Sequence, residues 1–134
     1  MKKKETEKVY NEKVIITEPS QVYKECVDIL SEKKELFIAF FLDGKNTIIA
    51  REIIHIGTLN QCLVHPREVF RSAILHAANS IILAHNHPSG DPTPSKEDIL
   101  IDKRLREAGE IVGIAILDDI VVGKDGYKSI KDEE

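Results

Sequence analysis

The chain has 134 residues and a formal net charge of −4, from 19 lysines and arginines against 23 aspartates and glutamates. This length suits one domain with its own core. The charge balance gives no support for a surface that captures nucleic-acid phosphates. The longest apolar run, Leu36–Leu42, is too short to cross a bilayer. We therefore expect a cytoplasmic protein with no membrane association.

The cysteine content indicates neither a disulfide framework nor a thiolate metal site. The two cysteines, Cys26 and Cys62, form no Cys-x-x-Cys pair, and each falls in an apolar pattern. We predict that both are small buried side chains. Usage this sparse fits a reducing compartment.

Helical periodicity, caps and breakers predict the domain organisation and three helices. We expect a flexible, extended lead-in over residues 1–13 and a single domain over residues 14–134. Apolar side chains at helical spacing follow capping residues or proline in three places. The predicted helices are Gln21–Glu32 with Ser20 as its cap, Arg67–Asn79 after Pro66, and Lys96–Ala108 between Ser95 and Gly109.

Short apolar runs between turn-forming residues predict the strands. The predicted strands are Leu36–Asp43, Thr47–His55, Gly57–Val64, Ser80–His85, Ile111–Leu117 and Ile120–Gly123, with a further β-prone piece at Val14–Ile16. Ser80–His85 is mostly apolar without alternation, so we expect it at the centre of the sheet, covered on both faces. The fold class is a mixed α/β domain in which helices flank the sheet.

The segment Ala84–Asp98, which reads AHNHPSGDPTPSKED, combines metal-ligand residue types at suggestive spacing. Side chains two apart on a strand point to the same side, about 6.6 Å apart at the backbone, so His85 and His87 can converge on one ion. Asp98, in the first turn of the next helix, completes a set of three ligands. Such a set leaves a fourth position for water, as a catalytic zinc site requires.

Ser95 has two interpretations that are compatible with each other. Ser-x-x-Asp ahead of Ile99 and Leu100 is a helix N-cap in its own right. The hydroxyl could also stabilise an oxyanion beside the metal. A lone histidine is more often a satisfied polar residue than a ligand, but a pair at this spacing, with an acid following, makes coincidence less probable.

The motif His85-x-His87, seven residues, then Ser95-x-x-Asp98 resembles the JAMM motif of the MPN (JAB) metalloprotease family. The sequence segment HNHPSGDPTPS, together with HPREVF at His65–Phe70, is similar to sequences of the RadC-type branch of this family. The resemblance extends from about Val14 to Ile130. It implies the JAB/MPN fold, akin to cytidine deaminases. It also implies one Zn²⁺ per chain on the two histidines and Asp98, with Ser95 at the oxyanion. The implied reaction is hydrolysis of a peptide, isopeptide or related amide.

The resemblance further implies a glutamate, from an early strand, that holds and deprotonates the water. Glu35, just before Leu36, matches that place, whereas alone it would pass for an exposed acid. Glu68 is the rival, although its place at the start of a helix suits stabilisation of the helix dipole.

The chain departs from the RadC-type pattern in two places. The helix-hairpin-helix region that usually precedes the domain is absent, so we expect the bare catalytic-type domain. The chain reads Leu117-Asp118-Asp119 where the family often has Leu-Asp-His. Asp102, one turn beyond Asp98, is either an acid that supports a ligand or a solvated charge.

Three other functions compete with amide hydrolysis. A zinc deaminase needs a Pro-Cys-x-x-Cys segment, which is absent. A nuclease is suggested by His-Asn-His, but HNH nucleases space these residues far apart. A non-enzymatic interaction module that keeps the metal is the third. We expect a peptide or protein substrate. A link to DNA repair rests on the family association alone, and an exposed edge strand leaves a homodimer open.

Overall fold

A six-stranded mixed sheet organises the chain in the computed structural model, which describes residues 6–60 and 62–133, apart from the side chains of residues 132 and 133. The expectation for residues 1–5 lies outside this part. The strands are β1 (Glu7–Val9), β2 (Leu36–Leu42), β3 (Ile48–Ile56), β4 (Ser80–Asn86), β5 (Ala115–Gly123) and β6 (Gly126–Ser129). Their spatial order is β1-β3-β2-β4-β5-β6. Only β4 and β5 run parallel among these described strands.

Helices cover both faces of the sheet, which confirms the predicted mixed α/β class. They are α1 (Pro19–Glu25), α2 (Pro66–Leu75) and α3 (Lys96–Val112), with short 3-10 helices at Val27–Ile29 and Ile130–Glu133. One apolar core joins the sheet to α2 and α3, and a second joins the opposite face to α1. Every residue of β4 is buried, as predicted for a strand covered on both sides. No helix in the described part is long and apolar enough to span a membrane.

The connection β4-α3-β5 positions the candidate site. Because β4 and β5 are parallel, α3 must cross over the sheet between them, and it begins where β4 ends. Functional side chains of such folds collect beyond the carboxyl ends of parallel strands. The segment singled out in the sequence, from His85 to Asp98, is this strand end, the loop and the first turn of α3.

The N-terminal part differs from the prediction in two respects. Glu7–Val9 lies within the predicted flexible lead-in but pairs antiparallel with β3. We therefore propose that the sheet of the domain includes this segment. The first helix begins at Pro19 instead of Gln21 and ends at Glu25, far short of Glu32. Its N-cap is Glu18, whose backbone N–H donates to the Gln21 side chain over 2.8 Å, so the predicted cap at Ser20 is wrong.

The predicted strand Gly57–Val64 is wrong, because its described residues form bends and a turn. Gly57 has a φ of +109°, which strand residues do not adopt, and the Asn60 side chain accepts the backbone N–H groups of Cys62 and Leu63. Cys62 is consequently exposed, against the prediction that it is buried, whereas Cys26 is buried as predicted.

Two helix ends also differ from the prediction. The second helix stops at Leu75, before Asn79, because Ala77 takes a left-handed φ of +53°. Gly109 lies inside α3, where a Cβ would come within 2.6 Å of the Ile114 carbonyl oxygen, so the glycine serves close packing. The helix ends instead at Gly113, with a φ of +86°.

The two strands predicted at the C-terminal end, Ile111–Leu117 and Ile120–Gly123, are wrong as drawn. Residues 111 and 112 belong to α3, and one strand, β5, runs through from Ala115 to Gly123. The second strand of this hairpin is β6, which the sequence patterns did not indicate.

Candidate metal centre

Two histidines from the end of β4 face the same side of the sheet. The His85 side chain is 1% exposed, and its ring stacks on Phe37 with the ring centroids 5.9 Å apart. His87 lies one residue past the strand, where its backbone N–H donates to the Val122 carbonyl over 2.9 Å. The ring centroids of the two histidines are 5.1 Å apart. The alternation of side chains along a strand therefore brings the two imidazoles together, as the sequence predicts.

Asp98 joins the two imidazoles from the first turn of α3. Its Oδ2 lies 2.9 Å from Nε2 of His87 and 3.2 Å from Nε2 of His85. Ser95 is the N-cap, because its Oγ accepts the Asp98 backbone N–H over 3.1 Å and its own N–H donates to Asp98 Oδ2. This capping box fixes the Asp98 carboxylate over the histidines.

The donor set fits a divalent metal ion of the zinc type. One ligand atom from each of His85, His87 and Asp98 lies within 4.8 Å of the others, and these three residues could hold the ion. Tetrahedral coordination with bonds of ~2.0–2.1 Å separates ligand atoms by about 3.3 Å, close to the observed contacts. Both ring nitrogens of His85 are buried without a hydrogen-bond partner among the described residues. A buried polar atom without a partner is costly, and a metal ion at Nε2 would remove that cost.

Charge in the cluster favours the ionised, ligand-ready form of Asp98. Burial raises the pKa of Asp98, but the His85 and His87 imidazoles outweigh it and hold that pKa well below its usual range. The Asp98 carboxylate, in turn, raises the pKa of His87 above its usual value, against the opposing effect of burial. Asp98 is therefore ionised at neutral pH and available as an anionic oxygen ligand.

The loop after β4 holds His87 in a defined orientation. Nδ1 of His87 lies 2.9 Å from the Asp91 carbonyl oxygen, which can only accept, so Nδ1 carries the proton and Nε2 faces Asp98. Gly90 packs directly on Gly123 at the end of β5, where a Cβ would come within 2.3 Å of the Gly90 carbonyl oxygen. The absence of a side chain at Gly123 thus lets the loop close against the sheet.

Glu35 lies immediately before β2, half-buried, near enough for its charge to act on His87. Asn86, between the two histidines, anchors this segment, because its side chain accepts the Leu36 N–H over 2.6 Å and donates to the Lys34 carbonyl over 3.1 Å. The two hydrogen bonds flank Glu35 on either side. The sequence patterns indicate no role for Asn86.

The rival glutamate, Glu68, sits in the first turn of α2 with a side chain that is 56% exposed and a loose 3.9 Å ion pair to Arg67. That position fits the helix-dipole interpretation. The other histidines also have contacts of their own. Nε2 of His55 lies near the Thr58 carbonyl oxygen, and His65 is the N-cap residue of α2.

Comparison with known proteins identifies the family. Residues 16–134 match the model of the RadC-like JAB domain. The chain belongs to the RadC-like JAB domain family. A UPF0758 protein of Desulforamulus reducens is 52% identical over 120 residues, covering 89% of this chain and 53% of that protein. UPF0758 proteins of Methanosarcina mazei and Staphylococcus haemolyticus are 50% and 47% identical, over 88% and 92% of this chain and 52% and 55% of their own length. The chain spans about half the length of these curated relatives.

Two buried acids lie close to the candidate metal ligands of this RadC-like JAB domain. Asp102 is fully buried, and both of its oxygens accept from Nε of Arg106, so its interpretation as a solvated charge is wrong. Asp119 is 1% exposed, and its Oδ1 lies 4.0 Å from Nδ1 of His85. Burial raises the pKa of Asp119 well above its ordinary value, and the negative charge of Asp102 adds to the effect. For Asp119, the available sequence signal was the pair Asp118-Asp119 inside an otherwise apolar strand.

A second group of candidate ligands lies away from this centre. Ligand atoms of Glu7, Glu52 and His76 also lie within 4.8 Å of one another. Here, however, Nε2 of His76 already pairs with Glu7 Oε2 over 2.9 Å, and the ring stacks on Phe41. A hydrogen bond between β1 and the end of α2 thus accounts for the approach of Glu7 to His76.

Proposed function

We propose that the protein is a zinc-dependent hydrolase of the JAMM type that cleaves a peptide, isopeptide or related amide bond. The observation that carries the proposal is the convergence of His85, His87 and Asp98 within 4.8 Å, with Glu35 alongside. Two imidazoles and one carboxylate leave a coordination position for water, which structural zinc sites do not. Membership of the RadC-like JAB family supports the same reaction class.

Each residue in the centre has a distinct proposed role. The two histidines and Asp98 would hold the zinc, which would supply a water whose pKa is lowered to about 7. Glu35 accepts a proton from the attacking water and delivers it to the leaving nitrogen. The Ser95 hydroxyl, which lies at the helix start next to Asp98, donates to the carbonyl oxygen as negative charge develops there.

An open cleft next to Glu35 offers a path for a chain-like substrate. The cleft has a volume of about 390 Å³ and is lined by Lys33, Lys34, Glu35, Gly57, Thr58 and Pro88. Pro88 directly follows His87, so the cleft lies beside the metal ligands. Its two lysines favour a substrate that carries negative charge near the scissile bond.

The proposal predicts that hydrolysis depends on the metal. The purified protein is incubated with a library of peptides and Lys-isopeptides, and cleavage is read by mass spectrometry. Zinc-loaded protein should cleave members of the library, chelation should abolish cleavage, and added zinc should restore it. Zinc-loaded protein that cleaves no member would overturn the proposal in favour of an interaction module that retains the metal.

A further inference from the structure

We propose that Asp119 is a positioning residue that accepts a hydrogen bond from Nδ1 of His85 and so directs Nε2 of that ring toward the metal; the inference rests on the proposed metal site. Among ligating histidines, the second ring nitrogen is usually held by a carboxylate or carbonyl oxygen, which fixes the tautomer and raises ligand basicity. In this protein that partner would come from a neighbouring strand.

The two side chains are buried and adjacent. Nδ1 of His85 and Oδ1 of Asp119 are 4.0 Å apart, and both side chains are 1% exposed. Within the described residues, Nδ1 of His85 and the two oxygens of Asp119 make no hydrogen bond of normal geometry, although the Asp102 carboxyl lies close enough to interact with Asp119. A hydrogen bond requires an approach to about 2.7–3.2 Å, a movement of ~1 Å. It would satisfy two buried groups that each cost free energy when left alone.

A register shift in the sheet places Asp119 on the side of His85. Between β4 and β5 the pairing moves by one residue, because Ile81 pairs with Ile116 while Ile82 pairs with Asp118. Asp119 is consequently opposite Leu83, on the face that carries His85. A regular register would place it opposite Ala84, facing α1, because one residue of slip reverses every side chain. The register shift thus turns the side chain of Asp119 toward His85.

His87 provides an internal parallel. Its Nδ1 donates to the Asp91 carbonyl and its Nε2 faces Asp98. His85 also presents Nε2 to Asp98, and an oxygen of Asp119 lies 4.0 Å from its Nδ1. In both histidines, an oxygen atom would then accept from Nδ1 of the imidazole while Nε2 faces the metal position.

Asp119 itself is supported by α3. The groups that face it are Asp98, Asp102 and Arg106 from that helix, besides His85 from β4. Arg106 holds Asp102 through Nε, and its Nη1 donates to the Ile116 carbonyl over 3.0 Å, near the start of β5. This contact ties the helix to the strand that carries Asp119.

Zinc affinity measured by competition with a chromophoric chelator tests the inference. Asp119→Leu, which removes the acceptor, should bind zinc about 10–100-fold more weakly than the unsubstituted protein. Asp119→Asn, which keeps a carbonyl oxygen, should lose much less. Asp118→Asn is the matched control, because Asp118 accepts Ser129 and faces away from His85. It should leave the affinity unchanged.

A spectroscopic measurement separates positioning from general stabilisation. In the zinc-loaded protein, nuclear magnetic resonance should show a slowly exchanging Nδ1–H proton on His85 that is lost in Asp119→Leu. An unchanged affinity in Asp119→Leu, or a zinc-loaded His85 without an Nδ1–H proton, would overturn the inference. If the unsubstituted protein binds no zinc, the proposed function fails instead, so the two failures are distinguishable. If Asp119→Leu does not fold, the Nδ1–H signal of the unsubstituted protein and the zinc affinity of Asp119→Asn still test the inference.

Discussion

Replacing Glu35 with glutamine is expected to lower the rate of amide hydrolysis by about 10²–10⁴-fold, the usual contribution of a general acid–base group. Glutamine keeps the shape of the side chain but cannot accept the proton of the attacking water. Because Glu35 is not among the three converging ligands, zinc content should stay at the level of the unsubstituted protein. The measurement is the initial cleavage rate, normalised to bound zinc, on a peptide found by the library screen.

Glu68→Gln is the matched control for this experiment. Glu68 is an exposed acid at the start of α2, and its replacement should leave the cleavage rate unchanged. The assignment of Glu35 as the general acid–base group is contradicted if Glu35→Gln keeps full activity. If only Glu68→Gln loses activity, Glu68 has this role instead.

Replacing Asp98 with alanine is expected to weaken zinc binding by far more than the 10–100-fold that a supporting residue contributes. The substitution removes a proposed ligand and also the carboxylate whose Oδ2 lies within 3.2 Å of both imidazoles. Zinc should then no longer raise the unfolding temperature, since a ligand stabilises only the state that binds it. Isothermal titration with zinc and thermal unfolding with and without zinc measure the two effects.

Asp98→Ala also removes half of the capping box of α3, which costs about 0.3–1.5 kcal/mol of stability without any metal. Thermal unfolding of the metal-free variant measures that loss separately. Glu97→Ala is the control, since Glu97 is the neighbouring first-turn acid and is not among the converging ligands. Zinc affinity equal to that of Glu97→Ala would show that Asp98 does not ligate the ion.

The ligand set could be predicted from the sequence because its geometry is local. His85 and His87 share a side because strand side chains alternate, and Asp98 follows from a helix that starts at Ser95. The central position of β4 followed from its continuous apolar run. These features depend on residues close together in the chain, where periodicity and capping are informative.

The supporting residues could not be predicted, because they depend on pairing between distant segments. Asn86 acts across 50 residues on Leu36, which requires β2 to lie beside β4. Asp119 faces His85 because the pairing of β4 with β5 shifts by one residue, and no sequence pattern in either strand predicts that shift. The sequence left two interpretations of Asp102 open, because its burial depends on the packing of α3 against other elements, which is a property of the tertiary fold.

The same limit explains the errors at the helix and strand ends. Gly109 had the form of a helix terminator, but it serves the approach of the Ile114 backbone, so α3 continues to Val112. β1 has no apolar alternation of its own, and its position depends on pairing with β3. Packing against distant residues decided both cases against local propensity.

X-ray absorption spectroscopy at the zinc edge, on protein purified and loaded with one equivalent of zinc, tests the central claim most directly. The account predicts one tightly held zinc with two imidazole nitrogens and oxygen ligands at ~2.0–2.2 Å. The two-imidazole signature should be lost in His87→Ala and kept in His76→Gln, which alters the group formed with Glu7 and Glu52. Protein that takes up no zinc, or a spectrum that changes only in His76→Gln, would contradict it.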